Sequence, residues 1–401
     1  MKYSLSFLLG YPFDFLHAMC FRCLAPLFAK TRQKGNEPWI VGGHRGRIYE
    51  DNSSAVHQYI VNNTNQKVVW ISANPVVTRK LKAQGCQVLR KNSFKARLAI
   101  LKAPVFIYSH GEDDIDQFFK YFRKCAGLRI HLNHGLSFAK TGYFAVPGAE
   151  KWSEKVKRKK QKQIADFDYM LVGSEYEKEM LARSFPFRKA CDFIPDCGCA
   201  HVDRFITSKN KNPDKRFLWM PTYRDDPQDA LELQEMKLSI LNDKRLQQYL
   251  EETGATFTLI DHINSGRSSF GKLHPRMEIR SIDEIGTIMP TAQCLISDYS
   301  SLVMDWLIFE RPFIRFAFDI KNYTRKRSFY IPLNEITLGK DVSNAQELVQ
   351  HIVNGDWADM TPYRQKNDYY RNRIFPNLMP THAEICYMKI AELSKKWIQA
   401  Q

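Results

Sequence analysis

CLISDYSSLVMDWLIFERPFIRFAFD, residues 294–319, is the stretch that most clearly indicates the fold. Its first apolar run ends at Ser297, and after a polar cluster apolar residues such as Leu302 and Trp306 recur at helical spacing. A second apolar run follows at residues 312–318. A strand, a helix and a further strand in this order predict a βαβ unit, which requires a parallel sheet.

The same alternation of short apolar runs with amphipathic stretches extends outward from Trp39. It predicts strands at residues 68–72, 105–109, 129–133, 169–173, 217–221, 256–261, 294–297 and 312–318. A chain of 401 residues exceeds the size of one core, and the polar stretch at 206–216 has the character of an exposed linker. We therefore predict an α/β protein in which two Rossmann-like domains, residues 38–205 and 217–401, face an interdomain cleft.

The amino-terminal segment, residues 1–37, is rich in Phe and Leu but is interrupted by Pro12, Asp14 and Arg22. A membrane-spanning helix needs about 20 nearly uninterrupted apolar residues, and a signal peptide needs a clean apolar run before its cleavage site. Neither description fits. We expect an interfacial segment that lies among lipid headgroups, in preference to a segment buried on the protein itself.

The chain is strongly basic, with 59 Lys and Arg against 43 Asp and Glu and a formal net charge of +16. Such a field attracts polyanions: nucleic acid, anionic lipid, nucleotide donors or a phosphate-rich polymer. No zinc-finger spacing, RNA-recognition signature or basic zipper accompanies the charge. We therefore do not expect a nucleic-acid partner.

Nine cysteines are spread along the chain without the spacing of a disulfide framework. Cys20 and Cys23 form a CxxC, but no second pair completes a tetrahedral zinc site. We expect reduced thiols and a cytosolic environment. The sequence also lacks the clustered carboxylates of a metal site, so we predict no obligatory metal and no cofactor.

A basic run, KWSEKVKRKKQK, occupies residues 151–162 and includes Lys155, Arg158 and Lys159. Such a run is often only the solvated face of a helix. It is equally suited to contact anionic lipid headgroups or a phosphate-bearing acceptor, where each cation contributes about 1 kcal/mol. Its position soon after the motif around His134 slightly favours the second interpretation.

Polar residues follow the predicted strand at 294–297. Asp298 comes first, and Ser300 or Ser301 can cap the next helix, whose free N–H groups and dipole favour an anion. Taken alone, this cluster of polar residues is equally typical of an ordinary capped helix that binds no ligand.

Two further motifs in the same half carry polar groups. FLWMPTYRDD places Thr222, Arg224 and Asp225 just after a strand, and GKLHP places His274 before a proline. The guanidinium fork of Arg matches phosphate oxygens, and His can stabilise charge on a leaving phosphate. The conjunction predicts one phosphate-binding surface on this half of the chain.

In the first half, RIHLNHGLSFAKTGY carries two histidines at residues 131 and 134. Because side chains alternate along a strand, His131 and Asn133 share a face, whereas His134 falls at the start of the loop. With an ordinary pKa of about 6.5, His134 is suited to take a proton from an acceptor hydroxyl. His131 is more simply a hydrogen-bonded strand residue.

Six blocks carry a family resemblance. They are GGHRGRIYEDNSSAVHQYI (42–60), HLNHGLSFAKTG (131–142), VGSEYEKEMLARSF (172–185), MPTYRDD (220–226), KLHP (272–275) and SDYSSLVMDW (297–306), followed by ERPFIRF and DIKNY. In this order they resemble the CDP-glycerol:poly(glycerophosphate) glycerophosphotransferase family of teichoic-acid and capsule synthesis.

The resemblance implies a GT-B-like fold, a CDP-polyol donor on the C-terminal domain, a lipid-linked polymer acceptor and peripheral attachment to an anionic membrane surface at the cytoplasmic face. It implies transfer of glycerol phosphate or ribitol phosphate to a polymer hydroxyl with release of CMP. His134 corresponds to the base and His274 to the second functional histidine. The phosphate-contacting positions correspond to Thr222, Arg224, Ser300 and Ser301, with Asp298 and Asp305 as organisers of that loop and helix.

Two departures from the family pattern are visible. Asn133 stands where a tryptophan is common, and GCAHVD at 198–203 replaces Gly-x-Pro-Arg-x-Asp, so that Ala200 and His201 stand for Pro and Arg. Two alternatives remain. The same fold serves glycosyltransferases that use nucleotide sugars, and a non-catalytic protein could hold a polyanionic polymer on the basic run.

Overall fold

The computed structural model describes residues 5–33, 35–121, 127–133, 135–136, 140, 145, 147–164, 167–185, 188–197, 199–224, 226–261, 270–336 and 338–400. Its strands are β1 (Trp39–Gly42), β2 (Val68–Ser72), β3 (Val88–Arg90), β4 (Val105–Tyr108), β5 (Leu128–His131), β6 (Tyr169–Leu171), β7 (Phe193–Ile194), β8 (Arg216–Met220), β9 (Thr256–Asp261), β10 (Met277–Ser281), β11 (Cys294–Ser297), β12 (Phe313–Phe316) and β13 (Lys340–Val342).

The α-helices alternate with these strands. They are α1 (Leu5–Leu24), α2 (Ala29–Gln33), α3 (Asp51–Asn63), α4 (Pro75–Ala83), α5 (Phe94–Lys102), α6 (Glu154–Ile164), α7 (Glu175–Ser184), α8 (Asp203–Ser208), α9 (Pro227–Leu241), α10 (Lys244–Thr253), α11 (Ile285–Ile288), α12 (Leu302–Trp306), α13 (Ile320–Lys326), α14 (Ala345–Val353), α15 (Arg364–Ile374) and α16 (His382–Gln399).

The strands form two parallel sheets with the same winding. The first sheet has the order β3-β2-β1-β4-β5-β6-β7 and the second has the order β10-β9-β8-β11-β12-β13. In each sheet the winding reverses beside its first strand in sequence, between β1 and β4 and between β8 and β11. Ligands of open α/β sheets bind beyond the carboxyl ends of the strands at such switch points.

The central strands are apolar on both faces because helices cover both sides of each sheet. All residues of β1, β2, β4 and β11 are buried. Two large side chains, Trp70 on β2 and Trp219 on β8, are fully buried in the two cores. Continuous apolar strands of this kind are typical of doubly covered parallel sheets, which explains why β2, β4 and β11 were predictable from sequence, although β1 was not among the predicted strands.

The last helix returns to the first sheet. Cys386 and Ile390 of α16 are buried in the same apolar cluster as Trp39 of β1. The predicted second domain, residues 217–401, included this helix, whereas the structure packs it on the N-terminal unit. The predicted linker at 206–216 overlaps the end of α8 and the first residue of β8.

The amino-terminal helix α1 packs on the protein. Ala18 and Phe21 are buried, and His17 Nδ1 lies 2.6 Å from Nη1 of the buried Arg97 on α5. One face of α1 is therefore part of the N-terminal core, and the expectation that this segment lies among lipid headgroups stays a prediction. Large apolar side chains remain exposed at Leu16, Leu24 and Leu27. Among the described residues, no helix is both long and apolar enough to span a membrane.

Candidate active site

The C-terminal switch point is a pair of loops held together by one carboxylate. The loops follow the neighbouring strands β8 and β11, so both leave the sheet at its carboxyl edge. Asp298 Oδ1 accepts hydrogen bonds from Thr222 N at 2.9 Å and from Thr222 Oγ1 at 2.5 Å. The same oxygen accepts from Tyr299 N at 2.7 Å. Asp298 is therefore the organiser of this loop pair.

Arg224 is buried between two carboxylates. Its Nη2 donates to Asp298 Oδ2 at 2.8 Å, its Nε donates to Asp319 Oδ2 at 2.6 Å, and its Nη1 donates to the carbonyl of Thr222 at 2.6 Å. Burial disfavours the charge, but the two carboxylates outweigh burial and raise the pKa of Arg224. Each guanidinium nitrogen thus has a protein acceptor, so Arg224 holds the loops in position.

Aromatic rings enclose this ion pair. Tyr299 and Tyr323 stack with ring centroids 3.9 Å apart, and the Arg224 guanidinium lies 5.0 Å from the Tyr323 centroid. The Tyr299 hydroxyl donates to Asp319 Oδ1 at 3.2 Å. Burial raises the pKa of Tyr323 to about 12, so it stays neutral. The result is a rigid floor beneath the loops after β8 and β11.

Ser300 and Ser301 lie between β11 and α12 and are partly exposed. Ser300 Oγ accepts from Leu302 N at 3.3 Å, as predicted for a helix start, whereas Ser301 makes no side-chain cap. The α-helix α12 has five residues and continues as a 3₁₀ turn over Leu307–Phe309. The structure thus brings Thr222, Ser300 and Ser301 to one edge of the sheet, above the Arg224 ion pair.

Asp305 does not belong to that loop. It points from α12 to the other domain, where Asp305 Oδ2 lies 2.9 Å from His201 Nε2. The other ring nitrogen, Nδ1, lies 2.7 Å from Asn52 Oδ1, and the His201 backbone N donates to the same oxygen at 3.0 Å. Because Asn52 is on α3, this chain of bonds joins the two domains. Asp305 thus anchors α12, the helix that follows the donor loop, and its expected role as an organiser of that loop and helix stays a prediction.

The hydrogen bonds of His201 require its charged form. Asn52 Nδ2 donates to the carbonyls of Leu132 and Asn133, at 3.3 and 3.1 Å, so its Oδ1 must face His201 as an acceptor. The carboxylate of Asp305 can also only accept, so both ring nitrogens of His201 donate, which only the imidazolium can do. Burial alone lowers the pKa of His201, but the Asp305 carboxylate outweighs burial and the pKa is raised. The imidazolium supplies the positive charge of the arginine in the family pattern.

His274 is not brought together with the switch-point residues. It precedes β10, whose first residue, Met277, pairs with Phe257 at the amino end of β9. His274 Nε2 lies 2.9 Å from Glu251 Oε1 of α10. Since a five-residue strand is about 16 Å long, His274 lies at the opposite edge of the sheet from Asp298. The expectation of a shared phosphate-binding surface is corrected for this residue. Asp225 lies outside the described residues.

His134 also lies outside the described residues, but its flanking residues are described. Asn133 adopts a left-handed backbone, with φ of 55°, which asparagine tolerates better than most residues. Its side chain donates to Glu177 Oε1 at 2.9 Å, and Glu177 Oε2 accepts from Gly173 N at 2.6 Å. The departure from tryptophan at Asn133 therefore provides a backbone conformation and a buried hydrogen bond to α7.

The N-terminal switch point is held by Asp114. Its Oδ1 accepts from Arg45 N at 2.7 Å, and its Oδ2 accepts from Ser109 N at 3.2 Å and His110 N at 2.9 Å. The loops after β1 and β4 are thereby tied together. The side chains of His44, Asp51 and His110 converge there. Burial raises the pKa of Asp51 to about 7.

The basic run forms the exposed helix α6. Lys155, Arg158 and Lys159 are exposed and, at spacings of three and four residues, share one face of the helix. Lys157 pairs with Glu154 at 3.1 Å. Among the cysteines that the structure describes, none forms a disulfide.

Comparison with known proteins identifies the family. The sequence profile described as CDP-Glycerol:Poly(glycerophosphate) glycerophosphotransferase matches residues 36–376. The chain belongs to this family. The assignment made from the six sequence blocks is thus confirmed, together with its class of enzyme, a family transferase.

Two relatives illustrate the range of the family. The chain is 28% identical over 163 residues to the teichoic acid ribitol-phosphate polymerase TarK of Staphylococcus aureus, a match that covers 39% of this chain and 31% of that protein. It is 23% identical over 378 residues to the teichoic acid poly(glycerol phosphate) polymerase of Bacillus subtilis, a match that covers 89% of this chain and 47% of that protein. The chain thus spans less than half the length of these relatives.

Solved structures show the same fold. The wall teichoic acid polymerase TagF superposes with a TM-score of 0.72 at 17% identity, covering 98% of this chain and 99% of that one. The same polymerase soaked with CDPG gives 0.70 at 18% identity, with full coverage of both chains. The calicheamicin glycosyltransferase CalG4 superposes with a TM-score of 0.51 at 11% identity, covering 90% of this chain and 99% of that one. The predicted GT-B-like architecture is confirmed.

Several residues at the two switch points were not predicted from the sequence. His44, Asp51 and Asn52 stand within the block at 42–60, and Asp319 and Tyr323 stand within DIKNY, yet neither block was interpreted residue by residue. The available signal was position, since each block follows or precedes a strand end. Their partners are distant in sequence, so only the fold reveals the contacts.

Proposed function

We propose that the chain transfers a polyol phosphate, glycerol phosphate or ribitol phosphate, from a CDP-activated donor to a hydroxyl of a membrane-linked cell-envelope polymer such as a teichoic acid or a capsule. The observation that carries the proposal is family membership over residues 36–376. The names of the relatives, polymerases of ribitol phosphate and of glycerol phosphate, support both donor types. The CDPG soak of TagF supports a CDP-linked donor.

The proposed donor site is the C-terminal switch point. The partly exposed Ser300 and Ser301 and the loop of Thr222 would contact the donor phosphates from the carboxyl edge of the sheet. Arg224 would act indirectly, because its three nitrogens already hold Asp298, Asp319 and the Thr222 carbonyl. Phosphoryl transfer depends chiefly on positioning and charge stabilisation, which a rigid loop pair supplies.

In the proposed reaction, the acceptor oxygen forms a bond to the polyol-bearing phosphorus as the bond from that phosphorus to the CMP oxygen breaks. His134 takes the proton of the acceptor hydroxyl, and CMP leaves with the electron pair of the broken bond. The anchoring of Asn133 to Asn52 and to Glu177 supports a fixed start for the His134 loop. Positioning of this kind limits the loss of orientation that slows a bimolecular step.

A second histidine on the donor side remains a proposal with two candidates. His274 was the predicted residue, but its position beside Glu251 does not favour a donor contact. β9 ends at Asp261 at the same carboxyl edge as Met220, and His262 follows Asp261 in sequence while lying outside the described residues. We therefore give preference to His262 for this role.

Peripheral binding to an anionic membrane surface is supported by two surface features. The face of α6 with Lys155, Arg158 and Lys159 offers positive charge, and Leu24 and Leu27 offer exposed apolar area near the end of α1. Anionic headgroups attract such cations, and exposed apolar side chains add buried area at the interface. The lipid-linked acceptor would be reached from this surface at the cytoplasmic face.

The test is nucleotide release by the purified full chain with CDP-glycerol, CDP-ribitol and a panel of UDP-sugars, each with a lipid-linked acceptor. We expect CMP from at least one CDP-polyol and no UDP. His134→Ala should lower the rate by 100-fold or more, on the order of a lost general base. His351→Ala, on α14, is the matched control and should retain the wild-type rate. Release of UDP without CMP would instead favour a glycosyltransferase.

A further inference from the structure

Three side chains that can bind a metal converge at the N-terminal switch point. His44 follows β1, Asp51 begins α3 and His110 follows β4. One ligand atom from each lies within 4.8 Å of the other two. We infer that these residues form a binding site for a divalent cation of the zinc type. The site is distinct from the proposed donor site, and the inference does not depend on the proposed reaction.

The spacing of the ligand atoms fits a tetrahedral cation. His44 Nε2 and His110 Nδ1 each lie 3.4 Å from Asp51 Oδ2. Zinc bonds to nitrogen and oxygen of about 2.0–2.2 Å at tetrahedral angles place neighbouring ligand atoms about 3.3–3.6 Å apart. The three side chains therefore already have the separations that a bound zinc ion would impose on at least two edges of its tetrahedron.

Asp51 presents a buried oxygen without a hydrogen bond. Among the described residues, no donor satisfies Asp51 Oδ2, although this atom is shielded from solvent. The other carboxylate oxygen accepts from Asn52 N. A buried carboxylate oxygen left in this condition is unfavourable, and a cation bound to it would remove that penalty. The two imidazoles, each with 29% of its side chain exposed, leave the site open to solvent.

The loops that carry the two histidines are joined to each other by hydrogen bonds. Asp114 ties the backbone of Arg45, beside His44, to the backbone of His110. Asp51 itself has a left-handed backbone, with φ of 78°, and His44 has φ of 46°. Residues other than glycine adopt this conformation only at an energetic cost, and such strain concentrates at functional sites. Two of the three ligands, His44 and Asp51, hold this strained conformation at the point where the ligands converge.

Two histidines and one carboxylate leave a coordination position open. Zinc sites with three protein ligands of this kind hold a water or an oxygen ligand in the fourth position. Asn52, next to Asp51, is bonded to His201 and through it to Asp305. The residue after the ligand Asp51 thus takes part in the contact between the two domains.

Cobalt binding tests the inference without any enzymatic assay. The full chain, without a polyhistidine tag and freed of metal by a chelator, is titrated with Co²⁺ and followed by visible absorption. We expect the d–d absorption of four-coordinate cobalt at one equivalent and its displacement by Zn²⁺. The H44A/H110A double variant should bind more than about 100-fold more weakly, since even loss of an outer partner costs 10- to 100-fold. Asp114 is an outer partner of the site, so Asp114→Asn should weaken cobalt binding by the smaller factor of about 10- to 100-fold.

His351→Ala removes a histidine far from the site in sequence and should bind cobalt as the wild type does. Circular dichroism verifies that each variant is folded. A second measurement uses only the wild type: Zn²⁺ should protect His44 and His110 from diethylpyrocarbonate in peptide mapping. Absence of the cobalt band, its persistence in the folded double variant, or equal modification of both histidines with and without Zn²⁺ would each overturn the inference.

Discussion

Replacing His201 by alanine should destabilise the protein by about 3–5 kcal/mol, the cost of removing one partner from a buried ion pair. The substitution leaves Asp305 Oδ2 without its donor at 2.9 Å and Asn52 Oδ1 without the ring donor at 2.7 Å. It also removes a contact that joins α3 of one domain to α12 of the other. His201→Arg, which restores the residue type of the family pattern, should recover much of this loss because it keeps the charge.

The same bond pattern predicts a pH dependence with a definite sign. The pKa of His201 is raised in the folded protein, so its contribution is present in full below the ordinary histidine pKa and is lost as pH rises through the folded value. Urea unfolding from pH 5 to pH 9 measures this directly. The wild type should lose stability on the alkaline side relative to His201→Arg. A loss below 1 kcal/mol for His201→Ala, or equal pH profiles for wild type and His201→Arg, would refute the charged bridge.

Three further predictions concern other parts of the molecule. Burial lowers the pKa of His57 to about 4, so the free energy of unfolding should fall by roughly 3 kcal/mol as pH drops from 6.5 to 4. His57→Phe should remove most of this fall when unfolding by urea is measured across the same pH range. An unchanged pH dependence in His57→Phe would contradict the prediction. Arg224→Lys should lower the free energy of unfolding, measured with urea, by about 3–5 kcal/mol, because lysine cannot bridge both carboxylates. An unchanged free energy of unfolding would refute the positioning role of Arg224. Changing Lys155, Arg158 and Lys159 to glutamine should weaken binding to anionic vesicles roughly 100-fold at low salt, whereas three lysines neutralised on the C-terminal domain should not.

The sequence was sufficient for the architecture because buried parallel strands are continuous apolar runs. All eight predicted strands correspond to strands of the structure, from β2 to β12. Of the strands that were not predicted, β1 is a buried apolar strand of four residues, whereas others are short or polar, such as β7 with two residues and β10, MEIRS, at a sheet edge. Their pairing comes from tertiary contacts, which no local pattern encodes.

The site was only partly predictable. Thr222, Asp298 and Ser300 were found because each follows a strand end, and that rule holds in the fold. His274 failed the same rule, because it precedes a strand that the sequence pattern did not reveal. Arg224 was assigned to the donor because it follows a strand and its guanidinium fork matches phosphate oxygens. Its bond to Asp319 was not predictable, because that carboxylate lies on a later segment.

Mass spectrometry of the acceptor tests the central claim most directly. The full chain is incubated with a lipid-linked acceptor and either CDP-glycerol or CDP-ribitol, and the mass of the acceptor is followed with time. The proposed function predicts growth by one or more units of glycerol phosphate or ribitol phosphate, abolished in His134→Ala. An acceptor that gains a sugar residue from a nucleotide sugar, or gains no mass from either CDP-polyol, would contradict it.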